Sequence, residues 1–177
     1  LKGRLQKLSE VLEKTLDIDG ILELAGEAPE LAAPETEMLI QKDTAFGYRT
    51  EEKVRIGVAD DEAFCFFYAD NLNLLEQMGA ELVRFSPIHD RELPEDLDGL
   101  LLSGGYPELN GEALEENQEM CTRIREAIRD GMPCLAECGG FMYLHQEMED
   151  MEGKQRRVCG VIPGRAYRTP KLNRFGY

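Results

Sequence analysis

The chain has 177 residues, enough for one ordinary domain and an appendage, and its 42% hydrophobic and 31% charged residues are typical of a globular protein. A formal net charge of −15 opposes non-specific binding to nucleic acid or to an anionic membrane, and no apolar run approaches the roughly 20 residues that span a bilayer. Five scattered cysteines and two histidines show neither a disulfide framework nor metal-site spacing. We therefore expect a cytoplasmic protein with reduced thiols, no metal, no nucleic-acid partner and no membrane partner.

The first 25 residues carry apolar side chains at largely helical spacing, with a break near 17–20 where Asp17 or Asp19 would cap a second helix. Residues 26–52 combine prolines and acids with few apolar side chains, which is typical of a linker. The chain starts with leucine and ends directly after an apparent strand, so we interpret it as a piece of a longer protein. We expect a helical tail of an upstream domain, a linker and a main domain over 53–177; the alternative is a helical arm on the main domain.

The main domain is predicted to alternate strands and helices. Short apolar runs predict strands at 54–59, 80–85, 98–102 and 134–137. Helical spacing predicts a helix over 69–79 and one long amphipathic helix over 114–128, which Gly131 and Pro133 would stop. This pattern is typical of a mainly parallel sheet covered on both faces, so we expect an α/β fold, a flavodoxin-like three-layer sandwich.

Three unusual segments follow predicted strands, and in such sheets the ligand site lies at the carboxyl ends of the strands. These segments are 60–68, the pair Gly104-Gly105, and Cys138. Their meeting at one edge of the sheet is stronger evidence for a site than any one of them.

Residues 133–144, PCLAECGGFMYL, predict a strand, a sharp turn and a helix, with Cys138 at the tip of the turn. So tight a turn strains the cysteine backbone and needs small neighbours, which Gly139 and Gly140 provide. The positive end of the next helix would favour the thiolate over the thiol, and this makes a cysteine nucleophilic. The alternative is a buried structural cysteine followed by a glycine turn.

A second candidate segment, Gly104-Gly105-Tyr106-Pro107-Glu108, follows the third predicted strand. Two glycines let backbone N–H groups turn toward an anion, and Pro107 stiffens the exit. If Cys138 attacks a carbonyl, this loop would form the oxyanion hole, together with the Gly139 N–H. A phosphate cradle is the competing interpretation, although the chain has no GxxxxGK[ST] motif; a plain strand-to-helix turn is the other.

The third segment, 60–68, places three acids before four aromatic residues that surround Cys65. It is too apolar for an exposed connection, so it would line the pocket, dock against another domain or cap the core. A cysteine nucleophile also needs a base. His89 is predicted in a loop, and His145 two helical turns past Cys138, about 10 Å along the helix axis. We therefore expect either that the chemistry is not nucleophilic catalysis or that the base lies beyond Tyr177.

Four stretches together resemble the glutamine amidotransferase domain of the cobyrinic acid a,c-diamide synthase family. They are ADDEAFCFFYADNL at 59–72, GGYPEL at 104–109, AECGGFMYL at 136–144 and the tail CGVIPGRAYRTPKLNRFGY at 159–177. The segment LQKLSEVLEKTLDIDGILELA at 5–25 is similar to the end of the ATP-dependent synthetase domain of the same enzymes. The stretch at 59–72 narrows the match from class I amidotransferases in general to this family.

The resemblance implies a glutamine-hydrolysing carbon–nitrogen ligase of cobalamin biosynthesis. Cys138 would attack the side-chain amide of glutamine, giving a thioester and ammonia. An upstream domain would use ATP and magnesium to activate the a- and c-acetate carboxylates of a corrinoid, cobyrinic or hydrogenobyrinic acid, for amidation. By position, Gly105 and Gly139 would supply oxyanion N–H groups, and residues 106–108 would lie beside glutamine, with Gly104 and Gly140 as further site residues. A homodimer is compatible with this resemblance.

Two parts of the family pattern are absent from the sequence, the histidine base and the ATP-binding motifs, so we expect no cofactor in this piece and little glutaminase activity. Other amidating ligases of tetrapyrroles, cobyric acid synthase and nickel-sirohydrochlorin a,c-diamide synthase, are alternatives within the fold. A non-catalytic flavodoxin-like interaction module, in which Cys138 is structural, is the alternative from another class.

Overall fold

The structure, a computed structural model, describes residues 2–30 and 53–171. The chain divides into two units, 1–47 and 48–177. The first contains α1 (Lys2–Thr15) and α2 (Ile18–Gly26), and neither helix buries a residue. The predicted break is confirmed, because the Asp17 carboxylate caps α2 by accepting the N–H of Gly20 at 3.0 Å. Most of the predicted linker over 26–52 lies outside the described residues.

The second unit alternates strands and helices. In chain order its elements are β1 (Arg55–Ala59), β2 (Phe64–Phe66), α3 (Ala69–Gln77), β3 (Glu81–Phe85), β4 (Gly99–Leu102), β5 (Gly104–Gly105), α4 (Gly111–Glu116), α5 (Gln118–Arg129), β6 (Cys134–Ala136), α6 (Gly139–Tyr143), β7 (His145–Glu149), β8 (Gln155–Arg157) and β9 (Ile162–Ala166). A short 3₁₀ turn over Pro107–Leu109 follows β5.

The central sheet is parallel and has the strand order β3-β1-β4-β6. Its members are the four strands that the apolar runs predict, so the α/β class with a mainly parallel sheet is confirmed. The largest fully buried side chains pack on and around this sheet; they include Val58, Phe64, Leu102, Leu114, Ile124, Tyr143 and Met148. No helix among the described residues has the length and apolar character to cross a membrane.

The single long helix predicted over 114–128 is wrong in one respect, because Asn117 divides it into α4 and α5. Asn117 is 2% exposed, and its side chain accepts the N–H of Met120 at the start of α5. The same side chain donates to the carbonyls of Pro87 at 2.8 Å and Asp90 at 2.7 Å. The Asn117 side chain thus connects the loop after β3 to the junction between α4 and α5. Short polar side chains compete with helix hydrogen bonds in this way.

The helix after Cys138 is shorter than predicted, so the placement of His145 two turns along it is wrong. α6 ends at Tyr143, and His145 begins β7, the central strand of a small sheet ordered β8-β7-β9. The carbonyl of His145 accepts the N–H of Gly160 at 2.7 Å, and that of Leu144 accepts the N–H of Val161 at 2.9 Å. These returning amides satisfy the carbonyls, so the chain leaves the helix.

Candidate active site

Cys138 sits on a strained elbow between β6 and α6. Its φ of 48° and ψ of −109° lie outside the usual regions, and among the described non-glycine residues only Asp96 shares a positive φ. Such a conformation costs on the order of 1–3 kcal/mol and clusters at functional sites. Cys138 is the N-cap residue of α6, and its carbonyl accepts the N–H of Met142 at 3.0 Å. Cys138 is an exposed residue.

The two glycines after Cys138 are required by close packing. A Cβ on Gly140 would lie 2.0 Å from the carbonyl oxygen of Leu102 at the end of β4. The Gly140 N–H donates to the carbonyl of Ser103 at 3.0 Å. A Cβ on Gly139 would lie 2.8 Å from the Pro107 ring and 3.2 Å from the Gly105 nitrogen. The elbow therefore lies directly against the end of β4 and the segment that follows it.

The glycine pair 104–105 forms the short strand β5 rather than the plain turn or loop considered from the sequence, and it pairs antiparallel with β2. The N–H of Tyr106 donates to the Ala63 carbonyl at 2.9 Å, which makes Phe64 and Gly105 a non-hydrogen-bonded pair. In such a pair the Gly105 N–H points away from β2. The Gly105 nitrogen lies 3.2 Å from the position of a Cβ on Gly139.

The segment 60–68 contributes to both the core and the site. Phe64 is buried, and its ring centroid is 5.2 Å from that of Tyr143. Phe66, two residues on, is exposed and packs edge-on against Tyr106 with a centroid distance of 5.2 Å. A Cβ on Gly104 would lie 3.5 Å from the Cβ of Phe66 and 3.6 Å from that of Cys138. The sequence motifs do not distinguish Phe66 from its aromatic neighbours, although the alternation within FCF is a strand signal.

The remaining site residues predicted from the sequence lie on the exit of β5. Tyr106 is exposed, Pro107 is buried at the start of the 3₁₀ turn, and Glu108 is half-buried. The carbonyl of Glu108 accepts the N–H of Met151 at 3.2 Å, which joins this turn to the small sheet. All eight predicted residues thus lie in two adjoining segments, 104–108 and 138–140.

Both histidines have hydrogen-bond partners other than Cys138. The Nε2 atom of His89 lies 3.0 Å from the Glu62 carboxylate. A backbone hydrogen bond and then the bond from His89 lower the pKa of Glu62. The Nδ1 atom of His145 lies 2.9 Å from the carbonyl of Phe141. Among the described residues, no hydrogen bond joins either histidine to Cys138.

The other four cysteines occupy different environments. Cys121 and Cys159 are buried, and the Cys121 Sγ lies 3.3 Å from the Tyr143 hydroxyl oxygen. Burial raises the pKa of Cys159, and it raises the pKa of Cys134 to about 11. Cys65 is exposed, as Cys138 is. Cys65 is therefore the natural internal control for the reactivity of Cys138.

The domain has a parallel sheet, a strand–elbow–helix that carries an exposed cysteine, and a glycine strand beside that elbow. These features are typical of the class I glutamine amidotransferases. The chain belongs to the CobB/CobQ-like glutamine amidotransferase domain family, whose family model matches residues 55–175. This agrees with the resemblance drawn from the sequence motifs.

Similar curated proteins carry the name cobyrinate a,c-diamide synthase. The chain is 40% identical over 177 residues to the protein of Caldanaerobacter subterraneus subsp. tengcongensis, covering 100% of the chain and 37% of that relative. It is 48% identical over 147 residues to the protein of Methanosarcina acetivorans, covering 83% and 29%. It is 41% identical over 168 residues to the protein of Salmonella typhimurium, covering 94% and 34%. The chain therefore spans about a third of the length of these relatives.

Proposed function

We propose that this domain releases ammonia from glutamine through a thioester on Cys138. The observation that carries the proposal is the exposed cysteine with a φ of 48° at the N-terminus of α6, packed against the glycine strand β5. Strained backbone conformations of this kind cluster at functional sites, and the N-terminus of a helix is a place where anionic groups are stabilised.

In the proposed reaction the Cys138 thiolate attacks the side-chain amide carbon of glutamine, and the carbonyl π electrons move to oxygen, giving a tetrahedral oxyanion. When the carbonyl reforms, the C–N bond breaks, and the nitrogen leaves as ammonia with the proton that the thiol gave up. Water then attacks the glutamyl thioester, which releases glutamate and restores the thiol.

The backbone N–H groups of Gly105 and Gly139 would stabilise the oxyanion. The nitrogen of Gly105 lies 3.2 Å from the position of a Cβ on Gly139, so both amides are close to the elbow. One oxyanion donor contributes roughly 10²–10³-fold to the rate in a comparable site. Residues 106–108 would lie beside the bound glutamine, and Gly104 leaves room between Phe66 and Cys138.

For the whole protein we propose ATP- and magnesium-dependent amidation of the a- and c-acetate carboxylates of a corrinoid, cobyrinic or hydrogenobyrinic acid, in cobalamin biosynthesis. The names of the relatives support this substrate. The 177 residues contain no GxxxxGK[ST] motif, so ATP and magnesium would be held by the part of the relatives that this chain does not span. Five free cysteines support a cytoplasmic location.

The proposal is tested by the reactivity of the five cysteines toward a chloroketone analogue of glutamine, followed by peptide mass spectrometry between pH 5 and 9. We expect Cys138 to react at least about tenfold faster than the exposed Cys65. Cys134, with its pKa raised to about 11, stays protonated and unreactive over this range. Equal rates at Cys138 and Cys65 would support the non-catalytic module instead.

The 177-residue chain alone is expected to release ammonia from glutamine only slowly. Its two histidines pair with Glu62 and with the Phe141 carbonyl, so Cys138 has no histidine base among the described residues. Since a general base contributes roughly 10²–10⁴-fold, we expect glutaminase activity about 100-fold or more below that of the full-length enzyme. A coupled glutamate assay measures both, and comparable rates would require His89 or His145 to reach the thiol.

A further inference from the structure

The Asp61 carboxylate accepts four hydrogen bonds, more than the turn it belongs to requires. Oδ1 accepts the N–H groups of Ala63 at 2.8 Å and Phe64 at 3.1 Å. Oδ2 accepts the Ser86 hydroxyl at 2.8 Å and the N–H of Ile88 at 2.9 Å. A carboxylate has about four lone-pair sites, so this one is saturated. Asp61 therefore fastens the start of β2 to the loop that follows β3.

The turn that Asp61 organises lies directly under the glycine strand. Asp61 and Phe64 exchange two backbone hydrogen bonds of 3.1 and 3.2 Å, which close the turn around Ala63. The Ala63 carbonyl accepts the N–H of Tyr106, and a Cβ on Gly105 would lie 2.0 Å from the same oxygen. Gly105 thus rests on Ala63 without intervening atoms, so a shift of Ala63 moves Gly105.

We propose that Asp61 is a positioning residue for the oxyanion hole, acting through Ala63 on the N–H of Gly105. This inference rests on the proposed function, because it takes Cys138 as the nucleophile and Gly105 as an oxyanion donor. Asp61 itself touches no reacting atom. Two of its four hydrogen bonds stay within its own turn, and the other two come from Ser86 and Ile88, which are 25 and 27 residues further along the chain. Together they hold the turn in position, and the turn positions β5 relative to Cys138.

A carboxylate is needed because all four partners are donors. The amide of an Asp61→Asn variant has one accepting oxygen and one NH₂ group, so it cannot accept from both sides of the clamp. On one side of the side chain, the NH₂ group of the asparagine would face a backbone N–H group, and two donors cannot form a hydrogen bond with each other. Misplacement of a group by about 1 Å costs on the order of 100-fold in rate. We therefore expect Asp61→Asn to weaken oxyanion stabilisation while leaving the elbow and its thiol in place.

Two reagents separate these effects in the 177-residue chain. A glutamine chloroketone forms a hemithioketal oxyanion on Cys138 before the S–C bond to its methylene carbon forms and chloride leaves. Iodoacetamide loses iodide by direct displacement at carbon, with no oxyanion on the way. A free cysteine is substantially ionised near pH 8.5, so neither reaction needs a histidine base. The ratio of the chloroketone rate constant to the iodoacetamide rate constant reports oxyanion stabilisation. General destabilisation of the fold changes both rate constants together.

We expect Asp61→Asn to lower the chloroketone rate constant by about 10–100-fold and the iodoacetamide rate constant by no more than about twofold. The control is Asp98→Asn. Asp98 also accepts a backbone N–H, that of Arg55 at 2.8 Å, but at the opposite end of β1, so both rate constants should be unchanged. Thermal unfolding of each variant fixes a labelling temperature at which it is folded.

A milder variant covers the case in which Asp61→Asn does not fold. Ser86→Ala removes one of the four bonds and should lower the chloroketone rate constant alone, by about threefold. Equal losses with both reagents, or no loss with either, would overturn the positioning role. If the chloroketone shows no preference for Cys138 over Cys65 in the unaltered chain, the proposed function itself is wrong, and the inference fails with it.

Discussion

Replacing Cys138 with serine is expected to abolish glutamine-dependent amidation by the full-length enzyme, with a loss of about 10³-fold or more, and to leave ammonium-dependent amidation within about twofold. A serine hydroxyl at the elbow remains un-ionised and forms no thioester. In the proposed reaction the corrinoid carboxylates are activated outside this domain, so ammonia added to the solution would bypass the lost step. Product formation with ATP is measured by liquid chromatography at saturating glutamine and, separately, at high ammonium concentration.

The matched control for this substitution is Cys65→Ser. Cys65 is exposed and lies in β2, next to Phe66 of the site, but its backbone is not strained. It should retain both activities. Loss of both activities in the Cys138 variant would indicate that the cysteine supports the synthetase part of the enzyme. Retention of both would remove Cys138 from the reaction.

The central sheet could be predicted from the sequence because each of its strands is a short apolar run. The strand β4, GLLL, lies between an aspartate and a serine, and β6, CLA, follows a proline. The small sheet could not be predicted in the same way. Its central strand, HQEME, has a single buried side chain, Met148, so its hydrophobic pattern is weak. It forms because carbonyls at the end of α6 are satisfied by the chain returning at 160–162.

The parts of the site that are local in sequence could be predicted, and the parts that depend on distant contacts could not. The strained Cys138 and its two glycines are neighbours, and the need for small residues is visible in the motif itself. The pairing of β2 with β5 involves two glycines without side chains, so no hydrophobic alternation sets its register. The role of Asp61 depends on Ser86 and Ile88, which no local pattern connects to it.

Substituting alanine for Gly140 is expected to lower the free energy of unfolding by about 4 kcal/mol or more, which is at the upper end for a single substitution. The added Cβ would lie 2.0 Å from the Leu102 carbonyl oxygen and 2.6 Å from its carbonyl carbon, both backbone atoms of β4. To relieve this clash, α6 would have to move away from β4, and the hydrogen bond from the Gly140 N–H to the Ser103 carbonyl would lengthen. Urea unfolding followed by circular dichroism measures the change.

Gly99→Ala is the control for this prediction. Gly99 lies in β4, the strand that contains Leu102, and a Cβ there would lie 3.4 Å from the Pro133 carbonyl oxygen, an ordinary contact distance. A change within about 1 kcal/mol is expected for it. If Gly140→Ala were equally mild, α6 would have to be mobile against β4. A mobile helix could not hold the strained φ of Cys138, so the same result would weaken the case for a preorganised nucleophile at the elbow.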